Sequence, residues 1–113
     1  MPRIDSYQFG EIVVDGKTYR DDVIILPDQV IPSWWRKEGH SLDPADLTEV
    51  VKAKPDSFIM GCGAYGALRV PKSTREFLQE KGIKLIDEPT AKAVETYNAS
   101  RAGNIACGLH LTC

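Results

Sequence analysis

Long apolar runs are missing from this 113-residue chain. The longest, Val23-Ile24-Ile25-Leu26, falls far short of the roughly 20 residues a membrane-spanning helix requires, so no span is expected. Met1-Pro2-Arg3-Ile4-Asp5 brings an early acid and no apolar h-region, so neither a secretory signal nor a basic presequence is read and the cytoplasm is the expected location. Cysteine is scarce. The three, Cys62, Cys107 and Cys113, are an odd number without a C-x-x-C pair, which argues against a disulfide framework and for free thiols in a reducing compartment. Basic charge is thin as well: 14 Lys and Arg against 16 Asp and Glu leave a net charge of −2. The positives are scattered, and without the basic stripe that supplies phosphate affinity nucleic acid is not an expected partner. No repeat, low-complexity segment or linker interrupts the chain.

What is present describes a single α/β domain over residues 1–113. Apolar residues at 42% and charged residues at 27% are ordinary globular composition, and the length suits one core without metal or disulfide staples. Tyr7, Phe9 and Ile12 to Val14 read as strands, followed by Thr18-Tyr19 and Val23 to Leu26, with Asp15-Gly16 as a two-residue hairpin turn. Pro27 to Pro32 reads as a connection, and Ser33 to His40 as a loop or short turn. Asp43 caps a first helix with Pro44 at its first position and Leu47, Val50 and Val51 on one apolar face, stopped by Pro55-Asp56. Ser57 to Met60 is then a strand. The capping-box pattern Ser73-x-x-Glu76 predicts a second helix from about Thr74 to Lys81. Ile83 to Ile86 follows as a strand, then a third helix from Pro89-Thr90 to near Gly103 with Ala93, Val94 and Tyr97 inward, then a strand from Ile105 to Leu111. Helices separating the last three strands require parallel crossovers, so the fold is an α/β layer with an N-terminal antiparallel extension.

The segment Gly61-Cys62-Gly63-Ala64-Tyr65-Gly66 spells G-x-G-x-x-G after a strand, and Asp87 stands about where a ribose-binding acid belongs. A pyrophosphate, however, is gripped by amides of a helix that starts inside the glycine turn, and Pro71 with the Ser73 cap postpones that helix. The glycines read instead as a sharp turn with close packing, the loop remaining a candidate for something smaller, with Arg69 on its rim.

Trp34, Trp35 and Arg36 have the composition of an interface hot spot. The structural reading beside it is one Trp sealing the core while Arg36 stacks on the other. His40 reads as a general base or as a histidine bonding loop backbone. Cys62, between two glycines, reads as a small apolar filler or a reactive thiol. Cys107-x-x-His110-x-x-Cys113 offers three zinc ligands, but on a strand His110 faces away from the other two. The adjacent acids Asp21-Asp22 and Asp87-Glu88 splay on a strand, leaving a two-carboxylate site unsupported. No catalytic residue, cofactor or metal is assigned. Expected partners are a protein of unknown identity or a second copy of the chain, through an edge strand or the tryptophan loop; single-stranded RNA stacking on tryptophan is the weakest reading.

Trp34-Trp35-Arg36 with Gly39-His40, Leu42 and Asp46-Leu47, Ile59 with Gly61 and Gly63, Pro71 with Leu78 and Gly82-Ile83, and Thr90 with Tyr97-Asn98 together carry a resemblance to a known family. From Tyr7 to Cys113 the chain resembles the Mth938-like uncharacterised-domain family, which includes the animal adipogenesis-associated Mth938-domain protein and mitochondrial complex I assembly factor 3, and it is similar to the archaeal founding member. The resemblance implies a three-layer fold with a central mixed, mainly parallel sheet flanked by helices and a small β layer. It implies no catalytic reaction, and for one mitochondrial member a chaperone-type role in complex assembly. The presequence of that member is not seen here, so mitochondrial assembly is not carried over.

Overall fold

A computed structural model describes residues 1–100 and 103–113. β1 (Ile4–Gln8), β2 (Glu11–Val14) and β3 (Lys17–Tyr19) form a three-stranded antiparallel sheet. Asp15 and Gly16, at φ 49° and 79°, make the expected two-residue turn, and Val14 pairs with Lys17 across it. The second sheet contains β4 (Val23–Leu26), β5 (Gln29–Ile31), β6 (Ser57–Cys62), β7 (Lys84–Glu88) and β8 (Ile105–His110), in the order β5-β4-β8-β6-β7. β6, β7 and β8 run parallel as the crossovers require, and β4 and β5 complete the sheet antiparallel.

The stretch Pro27 to Pro32, which reads as a connection in the sequence, contains β5. This is a three-residue edge strand on β4, too short and too proline-flanked to carry a period-two signal. The predicted first helix begins as a 3-10 turn, Pro44–Leu47, and continues as α1 (Thr48–Ala53). Asp43 accepts from the Ala45 amide at 2.9 Å, and Asp46 Oδ2 accepts from the Asp43 amide at 2.8 Å. α2 is Lys72–Glu80, earlier than expected: Ser73 makes no capping bond, and the Pro71 carbonyl receives the amides of Thr74 and Arg75 instead. α3 is Thr90–Ala99, with Ser100 extended, so the helix stops ahead of its expected end near Gly103; residues 101–102 lie outside the described residues.

The layers follow from alternation along the buried strands. Ile24, Leu26, Phe58, Met60, Cys62 and Ala106 face α1, α2 and Trp34. Their odd-numbered neighbours, Val23, Ile25, Ile59, Ile105, Cys107 and Leu109, face Ala93 and Tyr97 of α3 and Ile4, Ile12 and Val14 of the small sheet. The order is thus helices, mixed sheet, then α3 beside the small sheet. The carboxyl ends of β6 and β8 stop side by side, at Cys62 and His110.

Candidate functional site

Trp34 is anchored at four points. Its amide donates to the Asp22 carbonyl at 2.8 Å, and its indole Nε1–H donates to the Asp46 carbonyl at 3.1 Å. Its ring lies on Gly108, where a Cβ would meet ring carbons at 2.8 and 2.9 Å. The Arg36 guanidinium covers it, 5.1 Å from the ring centroid. The indole is 7% exposed, whereas Trp35 is 79% exposed. The expected pair is therefore corrected: Arg36 stacks on the buried tryptophan, because Asp22 draws the guanidinium inward, and Trp35 is left in solvent.

Asp22 organises the interior of the site. One carboxylate oxygen, Oδ1, accepts from the Leu111 amide at 2.8 Å; the other, Oδ2, accepts from Arg36 Nη1 and His110 Nδ1, each at 2.8 Å. Burial alone would raise its pKa, but hydrogen bonds from His110, Leu111 and Arg36 outweigh that, and the carboxyl is held below its ordinary value. A bare Nδ1 facing the carboxylate at 2.8 Å would set lone pair against lone pair, so the Nδ1 proton is assigned there. Arg36 Nη2 donates to the Gly39 carbonyl at 3.1 Å and touches His110 Nδ1 at 3.2 Å. Arg36 Nε and His110 Nε2 are buried and find no partner among the described residues.

Above this cluster opens a cleft of about 270 Å³, bordered by Arg20, Asp21, Trp35, Gly39 and Thr112. His40 stands beside it with its ring edge-on to His110, centroids 6.3 Å apart, and its Nε2 lies 3.1 Å from the Cys113 carbonyl. The reading of His40 as bonding loop backbone describes this contact.

The glycine loop packs against the same strand end. Gly61 and Cys62 belong to β6, and a Cβ on Gly61 would come within 2.9 Å of Leu109 and 3.1 Å of Thr90. Gly63, at φ 97°, has no room either: a Cβ would lie 2.7 Å from the Thr112 carbonyl and 2.9 Å from the His110 ring. Four of the loop amides a phosphate could use are engaged. Gly63 donates to Thr90 Oγ1, Ala64 to the Thr112 carbonyl, Gly66 to the Gly63 carbonyl and Leu68 to the Cys62 carbonyl. α2 begins six residues past Gly66, and Asp87 is held by Arg75 at 2.6 Å rather than facing a ribose. Cys62 is buried, and burial with Asp87 nearby pushes its thiol up to about 11, the behaviour of a filler.

Trp34, Trp35, Arg36, His40 and Gly63 thus meet around His110. Arg69, exposed, reaches the edge of this group by backbone bonds to His40 and Leu42. Asp22 and His110 as a pair escaped the sequence, being separated by 88 positions. The available signal was an acid abutting the all-apolar run Val23 to Leu26, a position that forces a carboxylate to find partners. Cys107 faces the opposite core from His110, and among the described residues no three His, Cys, Asp or Glu side chains are grouped to hold a metal ion.

The family model described as "Protein of unknown function (DUF498/DUF598)" matches residues 4–110. Among solved structures the chain is similar to MT938, at 26% identity and TM-score 0.80 with both chains covered completely. It is also similar in fold to an outer membrane protein from Bartonella henselae, at 23% identity and TM-score 0.84, covering 99% of this chain and 96% of that one. A Mth938-like domain from Bordetella pertussis matches at 18% identity and TM-score 0.67, covering 97% and 85%. Among the described residues no helix is long and apolar enough to cross a membrane.

Proposed function

This chain is a member of the DUF498 family, in its Mth938-like fold, and from its geometry we propose that it acts as a non-catalytic binding or assembly module that docks a partner protein on the sheet end around Trp35. The carrying observation is how Trp35 is held. Trp34 on one side is tied to Asp22 and Asp46, while Arg36 and Lys37 on the other are tied to Asp22 and to Asp46 Oδ1, so both neighbours are anchored to the core and the Trp35 indole is left in solvent. A tryptophan has only two side-chain torsions to lose on binding, which favours it as an anchor.

Two more exposed aromatics surround the same strand end. Phe9, 59% exposed, precedes Gly10, whose amide donates to the Leu111 carbonyl; Tyr65, 81% exposed, follows Ala64, whose amide donates to the Thr112 carbonyl. Exposed aromatic side chains grouped near one strand end are the composition of a partner surface. A protein awaiting assembly or a second copy of this chain would suit it, and a cytoplasmic location remains part of the proposal.

The test is differential capture. Immobilised protein should retain a defined partner from a lysate of the source cells, lose it in Trp35→Ala, and keep it in the surface control Lys92→Ala. Sedimentation of the isolated chain tells whether that partner is a second copy. Equal retention by Trp35→Ala and the control would remove the proposal.

A further inference from the structure

β7 ends one side of the mixed sheet, with no strand beyond it among the described residues. The backbone tells which of its groups stay open. Lys84 donates its amide to the Asp56 carbonyl at 2.9 Å and Thr90 donates to the Gly63 carbonyl at 3.0 Å, both toward the chain of β6. Between them the pairing runs without a shift, from Ser57 with Lys84 to Gly61 with Glu88. The N–H and C=O of one residue point to the same side of a strand, and that side alternates along it, so Lys84, Ile86 and Glu88 are engaged with β6 while Leu85 and Asp87 turn theirs to the free edge. The side chains are equally open. Leu85 and Ile86 stay half-buried, whereas Phe58 and Ile59, their partners on β6, are closed off.

Natural edge strands carry a charge, often lysine, that keeps other chains away. Lys84 is such a guard, but Glu88 stands on the same face of β7 four residues on. Roughly 13 Å of extended chain separates the two, so they do not meet within one copy. Across a two-fold axis they do. We propose that a second copy of this chain docks antiparallel on β7, Ile86 opposite Ile86, joining the two mixed sheets into one. Leu85 of each copy then faces Asp87 of the other, and their open amides and carbonyls meet as hydrogen-bonded pairs. Lys84 faces Glu88 at both ends, in the non-hydrogen-bonded pairs where side chains across the strands stand closest. Thr96 donates to Glu88 Oε1, which leaves Oε2 for the lysine, and Asp87 keeps Arg75, so its charge is not left bare against leucine. Moving the axis one residue to either side sets Leu85 against Leu85 or Asp87 against Asp87 and breaks both ion pairs, so the charges select this register. β5, at the opposite edge, has three residues and no charge to pair.

The experiment is sedimentation of the intact chain from roughly 10 µM to 1 mM, the range in which a small interface shows itself, with thermal unfolding recorded for each variant. The expected result is a reversible dimer. Lys84→Glu, at an exposed position, sets acid against acid at both ends and should weaken the dimer about tenfold or more. Glu88→Lys sets lysine against lysine and should do the same. An equimolar mixture of the two single variants places every acid opposite a lysine again, and should regain the wild-type dissociation constant within about threefold. Trp35→Ala should leave the dimer unchanged, because this proposal rests on the β7 edge and not on the surface around Trp35, so either can fail alone. A chain monomeric throughout, a dimer indifferent to Lys84→Glu, a mixture of folded variants no tighter than either alone, or a dimer lost in Trp35→Ala would overturn it. If Glu88→Lys does not fold, the response to Lys84→Glu decides.

Discussion

Asp22 holds three donors with two oxygens, so its removal leaves Arg36 charged and unpaired in a nearly closed site. Asp22→Asn should cost about 3 kcal/mol in urea unfolding, the range for breaking a buried pair from one side. The pH dependence has a definite sign. A carboxyl whose pKa is depressed on folding stabilises the native state at pH above its unfolded value of about 3.9 and loses that contribution as pH falls through the folded value. The gap between wild type and Asp22→Asn should therefore be widest above about pH 4 and narrow in stronger acid; a gap independent of pH would contradict this account. Trp34→Ala should cost about 3–5 kcal/mol, since the ring is buried on Gly108, so it is unsuited as a binding probe. Cys113 is exposed while Cys62 and Cys107 are buried with raised pKa values, so a thiol reagent should modify one cysteine in the native protein and three after denaturation. Fast modification of a second thiol without unfolding would reverse the filler assignment of Cys62.

At the scale of elements, two caps look alike in sequence and differ in the fold. Asp43 satisfies a backbone amide at the start of the 3-10 turn, whereas Ser73 satisfies none at the start of α2. Asp43→Ala should lose about 1 kcal/mol and Ser73→Ala less than about 0.3 kcal/mol by denaturant midpoint, and a larger effect at Ser73 would restore the capping box. The contrast shows what was legible. Asp-Gly at 15 and 16, Asp43-Pro44 and short apolar runs separated by helices carry their geometry locally, so the hairpin, the helix start and the three parallel strands could be read. Ser73 could not, because Pro71 had already turned the chain into α2 and its carbonyl takes the first amides. β5 exists by pairing with β4, a tertiary gain that three residues cannot announce.

Over the whole molecule, the site is a meeting of distant segments. The loop of Trp34 to His40, the turn at Phe9-Gly10, the glycine loop and the end of β8 converge where β6 and β8 stop, the end of a parallel sheet at which ligands commonly sit. Half of this was readable. Trp35, Arg36, His40 and Gly63 are unusual enough in composition or spacing to be singled out, but Asp22 and His110 take their meaning from contacts 14 and 74 residues away in Arg36. The glycines illustrate the reverse error that spacing invites. Gly61 and Gly63 are small because Thr90, Leu109, Thr112 and His110 crowd them, which needs no nucleotide.

One measurement bears directly on the claim that Trp35 is a docking anchor separable from the fold: partner capture and thermal unfolding recorded together for Trp35→Ala. The account predicts a midpoint within about 2 °C of wild type, as for a surface substitution, with capture reduced at least tenfold. Undiminished capture at an unchanged midpoint would contradict it.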